Sequence, residues 1–107
     1  MTNPSSNNGT VTHAARPPIK LPLGQLLATP GAIDAMIKAG QNAAEFLQRH
    51  ARGDWGIVGA EDWAANDHAV DQQERILSAY LLKSGVRIWI ITETDRVATT
   101  ILLPDEY

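Results

Sequence analysis

The chain contains no cysteine. Disulfides and thiolate chemistry are thereby excluded, which fits a reducing cytoplasm. No apolar run approaches the roughly 18 residues of a membrane span, and the first residues lack the apolar core of a signal peptide. The expectation is a cytoplasmic protein with no membrane partner. Neither HExxH nor CxxC spacing occurs, so the sequence implies no metal, and no cofactor motif is present. Basic residues are few: 9 Lys and Arg stand against 12 Asp and Glu, for a net charge of -3. Affinity for nucleic acid rests largely on cations that displace counterions, so a basic protein surface is the favoured partner and direct nucleic-acid binding the less favoured one.

What charge there is divides unevenly. Residues 1–53 carry five bases and two acids; residues 54–107 carry four bases and ten acids. Residues 1–20, rich in Asn, Ser, Thr and Pro, bury too little apolar surface to offset their ordering entropy and read as a disordered tail. Residues 21–107 form one domain of roughly 80 residues.

Local signals place the elements. Leu21 to Leu27 is an extended lead-in, interrupted by Pro22 and Gly24. Thr29-Pro30 opens a helix with a cap and a proline at the first helical position, Ile33, Met36 and Ile37 give it an apolar stripe, and Gly40 ends it. Asn42 followed by Glu45 has capping-box spacing and starts a second helix, with Phe46 and Leu47 inward, running to about Arg52. A turn at Asp54-Trp55-Gly56 leads to a third helix, Ala60 to about Gln73, with Trp63 and Val70 inward. Three strands follow, near 75–83, 86–93 and 97–103, the first two joined at Ser84-Gly85. The fold class is α+β: N-terminal helices packed on a three- to four-stranded antiparallel sheet that ends in a C-terminal meander.

Three groups of residues carry candidate chemistry. His50, flanked by Arg49 and Arg52, has the titration range of a general base or acid, but bases at a helix C-terminus also complement the dipole. His50 and His68 with Asp54, Asp62 and Asp67 include metal-ligand types without metal-ligand spacing, and His68 reads as part of a solvated face. Arg75, Thr92, Glu93, Arg96 and Thr99 fall at one end of an antiparallel meander. A carboxylate, two guanidiniums and hydroxyls there suit either acid–base work on a phosphodiester or an ion pair and a Thr pair that fix strand register. The acidic residues of the third helix, Glu61, Asp62, Asp67 and Asp71, are the expected contacts for a basic protein partner. Trp55 and Trp89 are expected to be structural anchors.

Two resemblances rest on these residues. R-H-x-x-G-D-W-G from Arg49, L-S-A-Y from Leu77 and W-I-I-T-E-x-D-R-x-x-T-T-I-L-L-P-x-E-Y from Trp89 resemble a group of small uncharacterised bacterial proteins carried on plasmids and other mobile elements. This implies a mobile-element setting and no chemistry. An accessory protein that binds another protein, such as an anti-restriction or anti-CRISPR inhibitor of host defence, is the expected function. Separately, R-I-L-S from Arg75 and I-W-I-I-T-E-T-D-R-V-A-T-T-I from Ile88 resemble the end of a barnase- or RelE-like ribonuclease. That resemblance implies a metal-independent ribonuclease toxin, with Arg75 as a phosphate-binding cation and Thr92 and Thr99 as strand polar groups. Asp95-Arg96 stands where such an enzyme places its late catalytic histidine, so His50 or Arg96 would have to serve, beside Glu93. A structural or regulatory subunit of a DNA-modifying complex is the third alternative.

Overall fold

The computed structural model describes residues 18–107. Most of the expected tail, residues 1–20, lies outside the described residues; of the remainder, Ile19 packs against the apolar cluster around Trp55. In chain order the elements are β1 (Gln25–Ala28), α1 (Pro30–Ala39), α2 (Ala43–Ala51), α3 (Ala60–Gln72), β2 (Ile76–Leu81), β3 (Arg87–Thr92) and β4 (Ala98–Leu102), with a 3-10 turn at Pro104–Glu106.

The α+β class stands, with one correction: the sheet is mixed. Its order is β1-β4-β3-β2. β2, β3 and β4 form the antiparallel meander, while β1 pairs parallel to β4, with Gln25 beside Ala98 and Ala28 beside Ile101. One strand therefore precedes the helices. The lead-in of the sequence becomes a strand because Gly24 lets the chain run against β4. Its φ is +66°, and a Cβ there would stand 2.4 Å from the carbonyl oxygens of Arg96 and Val97.

Local chemistry sets the helix ends. The Thr29 hydroxyl accepts from Ala32 N–H, Pro30 occupies the first turn, and Gly40 closes α1 at φ 68°. The buried side of α1 is Ala32 and Met36, with Ala35 and Ala39 half-buried; Ile33 and Ile37 are 45% and 72% exposed. The stripe expected from Ile33, Met36 and Ile37 is thus rotated. Alanines let the helix approach the sheet closely and leave the isoleucines outside. Asn42 caps α2 through Ala44 N–H, whereas the Glu45 carboxylate accepts from the Gln41 side chain instead of completing a capping box.

One face of the sheet carries two apolar clusters. The first gathers Met36 and Phe46 from the helices with Tyr80, Leu82, Ile88, Ile90 and Ile101 from the sheet region. The second gathers Leu21, Trp55, Ala69 and Ile76. Trp55 is fully buried, as an anchor should be. Trp89 is only half-buried, on the opposite face, and meets the Tyr107 ring edge-on at 5.8 Å.

Candidate functional site

Between the two clusters runs a polar seam. Alternation along each strand turns Ser78, Thr92 and Thr99 to the face covered by α2, and α2 lowers His50 onto them. His50, Ser78, Thr92 and Thr99 are all 0% exposed. His50 Nδ1 lies 2.6 Å from Ser78 Oγ, and His50 Nε2 lies 2.8 Å from Thr92 Oγ1. Thr92 Oγ1 lies 2.8 Å from Thr99 Oγ1, which donates at 2.7 Å to the carbonyl oxygen of Leu23.

That last carbonyl orders the protons of the seam as far as His50 Nε2. A carbonyl only accepts, so Thr99 spends its single hydroxyl proton on it. Thr99 Oγ1 then accepts from Thr92. Thr92, its proton committed, accepts from His50 Nε2–H. The relay places a proton on Nε2, which makes Nε2–H the tautomer of the neutral ring. In the neutral ring Nδ1 is then bare and accepts from Ser78 O–H. Burial, helped by the nearby Arg96 guanidinium, pushes the pKa of His50 down to about 4.

The residues gathered by sequence reasoning separate here into an inside and an outside. His50, Thr92 and Thr99 are inside. Arg75, Glu93 and Arg96 lie at the same sheet end, but each is engaged. Arg75 Nε is 3.9 Å from Glu93, its guanidinium lies 5.0 Å above the Tyr107 ring, and it donates to the Tyr107 hydroxyl. Arg96, at φ 63°, donates to the carbonyl oxygens of Ala69, Glu74 and Glu93. Ala69 belongs to the last turn of α3, where orphan carbonyls need donors. Arg96 therefore ties the end of α3 to the turn between β3 and β4.

The R-H-x-x-G-D-W-G segment is occupied in the same way. Arg49 Nε donates to Asp54 Oδ2 at 2.7 Å, and its guanidinium stacks 4.6 Å above the Tyr80 ring. That bond holds the Arg49 pKa above its ordinary value. Burial opposes ionisation of Asp54, but the bonds from Arg49 and Gly56 N–H prevail and hold its pKa low. Trp55 Nε1 donates to Asp67 Oδ1 at 2.9 Å. Gly56, at φ +77°, runs beside β2; a Cβ there would stand 1.9 Å from the carbonyl oxygen of Ala79. Burial raises the pKa of Tyr80, whose hydroxyl donates to the carbonyl of Asp54.

Of the four acidic residues of α3, Glu61, Asp62 and Asp71 are exposed, while Asp67 is half-buried as the acceptor for Trp55. His68 is exposed. Among the described residues, no three His, Asp or Glu side chains gather as a metal ion requires. No described helix is long and apolar enough to cross a membrane. Sequence reasoning missed Ser78 and Asn66. Ser78 had a visible signal: it shares the inward parity of Ile76, Tyr80 and Leu82, where a lone hydroxyl needs a partner. Compared with known proteins, the chain matches no family model, no curated protein and no solved structure.

Proposed function

We infer that this chain works by binding another protein, as a small accessory protein of a mobile element such as an anti-restriction or anti-CRISPR inhibitor. The observation that carries the reading is the enclosure of His50. A general base must reach the proton it abstracts, directly or through one water. His50 is 0% exposed, with both ring nitrogens bonded to Ser78 and Thr92. The cations that would face a phosphodiester are also engaged: Arg96 on three carbonyls, and Arg75 on Tyr107 and Glu93.

The surface offered to a partner is the outer side of α3. It presents Glu61, Asp62 and Asp71 and has no Lys or Arg anywhere in the helix. Such a face complements a basic groove that handles nucleic acid. The mobile-element setting follows from the motif resemblance, and the inhibitor role from that setting together with the acidic face.

The test has two arms. In the first, the protein is incubated with RNA in EDTA, beside Arg75→Ala and Arg96→Ala. No cleavage is expected; cleavage lost in either variant would establish the ribonuclease reading and end this one. In the second, immobilised protein captures its partner from a bacterial host, beside a variant with Glu61, Asp62 and Asp71 all changed to Lys. The expected capture is of a basic, nucleic-acid-acting protein whose activity falls on binding, with association slowed in the variant. Capture of a DNA-modifying complex whose activity is unaffected or increased would favour the subunit alternative.

A further inference from the structure

The two edges of the sheet are finished differently. The outer edge of β2 is closed by the chain itself at Leu77 and Ala79. Ala79 N–H donates to the Trp55 carbonyl at 3.1 Å, and Ile57 N–H donates to the Ala79 carbonyl at 2.8 Å. Two residues away, the Asn66 side chain serves Leu77 as a neighbouring strand would. Its Nδ2 donates to the Leu77 carbonyl at 2.8 Å, and its Oδ1 accepts from Leu77 N–H at 3.3 Å.

The outer edge of β1 has no such cover among the described residues. Gln25 N–H and Thr29 N–H donate inward, to Val97 and Ile101. Ladder parity therefore turns the N–H and C=O of Leu26 and Ala28 outward. All four residues of β1 are exposed, Leu26 at 54% and Leu27 at 44%, and neighbouring Val97 is 59% exposed. Proteins guard open edges with charge, proline or a bulge. Here no charged side chain occurs between Lys20 and Asp34, and Pro22 and Pro30 lie outside the strand.

We propose that the β1 edge is an interface for a second copy of this chain, joined antiparallel about a two-fold axis into one continuous sheet. In the register that pairs Leu26 with Ala28 of the other copy, all four outward backbone groups of each strand find partners, and Leu27 meets its own equivalent on the axis. Charge favours a copy over an unrelated strand. Exposed Lys20 precedes β1, whereas Glu106 is bound to the Thr29 hydroxyl and Gly31 N–H just beyond the end of β1, next to Asp105. Antiparallel pairing sets the basic end of each copy against the acidic end of the other. It leaves the uncharged stretch in the middle.

Sedimentation of the full-length chain from low micromolar to near-millimolar concentration tests the proposal, together with hydrogen exchange at the amides of Leu26 and Ala28. A monomer–dimer equilibrium is expected, with exchange at both amides slowing as concentration rises. Leu27→Lys should weaken the dimer about tenfold or more by placing like charges on the axis. Leu26→Pro removes an outward N–H without touching the ladder to β4, and should weaken the dimer as well. Far-UV circular dichroism establishes that each variant is folded. A monomer at every concentration would overturn the proposal, as would a dimer indifferent to both substitutions. Protection of Leu26 and Ala28 that does not change with concentration would show that the chain covers this edge itself, and would overturn it equally. The unmodified protein decides the matter alone if both variants fail to fold.

Discussion

The β2 edge and the β1 edge belong to one sheet, yet they were built by different means. The first is closed by the turn after α2 and by a side chain of α3. The second is a strand of four residues held, among the described residues, only on its inner side. Closure of the β2 edge depends on two residues that no hydrophobic pattern marks: Gly56, whose missing side chain lets the turn reach Ala79, and Asn66, whose amide imitates a peptide. A stretch of sheet edge can thus be satisfied without another strand, by one donor–acceptor pair aimed at each of Leu77 and Ala79.

Breaking the closed edge should have the largest effect. Gly56→Ala puts a side chain at a left-handed φ and into the Ala79 carbonyl, and should destabilise the fold by about 3–5 kcal/mol in a denaturant titration. A much smaller loss would mean that the turn does not hold the edge. The seam between the edges comes next. His50 binds no proton in the fold until pH nears 4, whereas the unfolded chain binds one from about 6.5. The stabilisation from a neutral His50 is therefore present above pH 6.5, and up to about 3 kcal/mol of it is lost as pH falls to 4. Asp54 and Glu106, both held below their ordinary 3.8 and 4.5, add their own losses at lower pH. Melting temperature against pH should show the histidine step in the parent, and His50→Gln should lack it.

A smaller effect is expected for Asn66→Ala, which strips Leu77 of both partners and should cost about 1–3 kcal/mol. Asn66→Asp keeps the acceptor but sets a charged oxygen, at this buried position, against the Leu77 carbonyl, and should cost at least as much as the alanine variant. The open edge supplies the least sensitive position. Leu26→Thr should change the stability of dilute protein by no more than about 0.5 kcal/mol, because the side chain is already half in water. A larger loss would show Leu26 to be covered, and the contrast between the edges would shrink accordingly.

Features governed by near neighbours were legible in the sequence. Thr29, Pro30 and Gly40 mark α1 through their own backbone preferences. Alternation and Ser84-Gly85 mark the meander. Features set by remote partners were not. β1 hides behind Pro22 and Gly24, and its pairing to Ala98–Ile101 joins opposite ends of the described chain. The spacing of Ile33 and Ile37 fits an inward stripe as well as Ala32 and Met36 do; only the closeness of the sheet decides between them. His50 read as a dipole partner or a catalytic base because Ser78, Thr92 and Thr99 approach it only through the tertiary fold. The grouping of Arg75 with Glu93 was legible, since strand register alone fixes it, but the carbonyls that engage Arg96 come partly from α3.

The seam also bears on how the chain finds its pairing during folding. β3 and β4 are rich in isoleucine and leucine, and oily side chains alone distinguish weakly between the native alignment and one shifted by two residues, which keeps every side chain on its face. The hydroxyls do distinguish. Thr92 stands opposite Thr99 in the native register, and Ile90 opposite Ile101. After a two-residue shift, Thr92 would face Ile101 or Val97, and the relay to Leu23 would be cut. Buried hydroxyls would lose their partners at about 1–3 kcal/mol each. A row of three small alcohols and an imidazole thus serves as an alignment gauge for the meander, rejecting slipped hairpins that the surrounding hydrocarbon would tolerate.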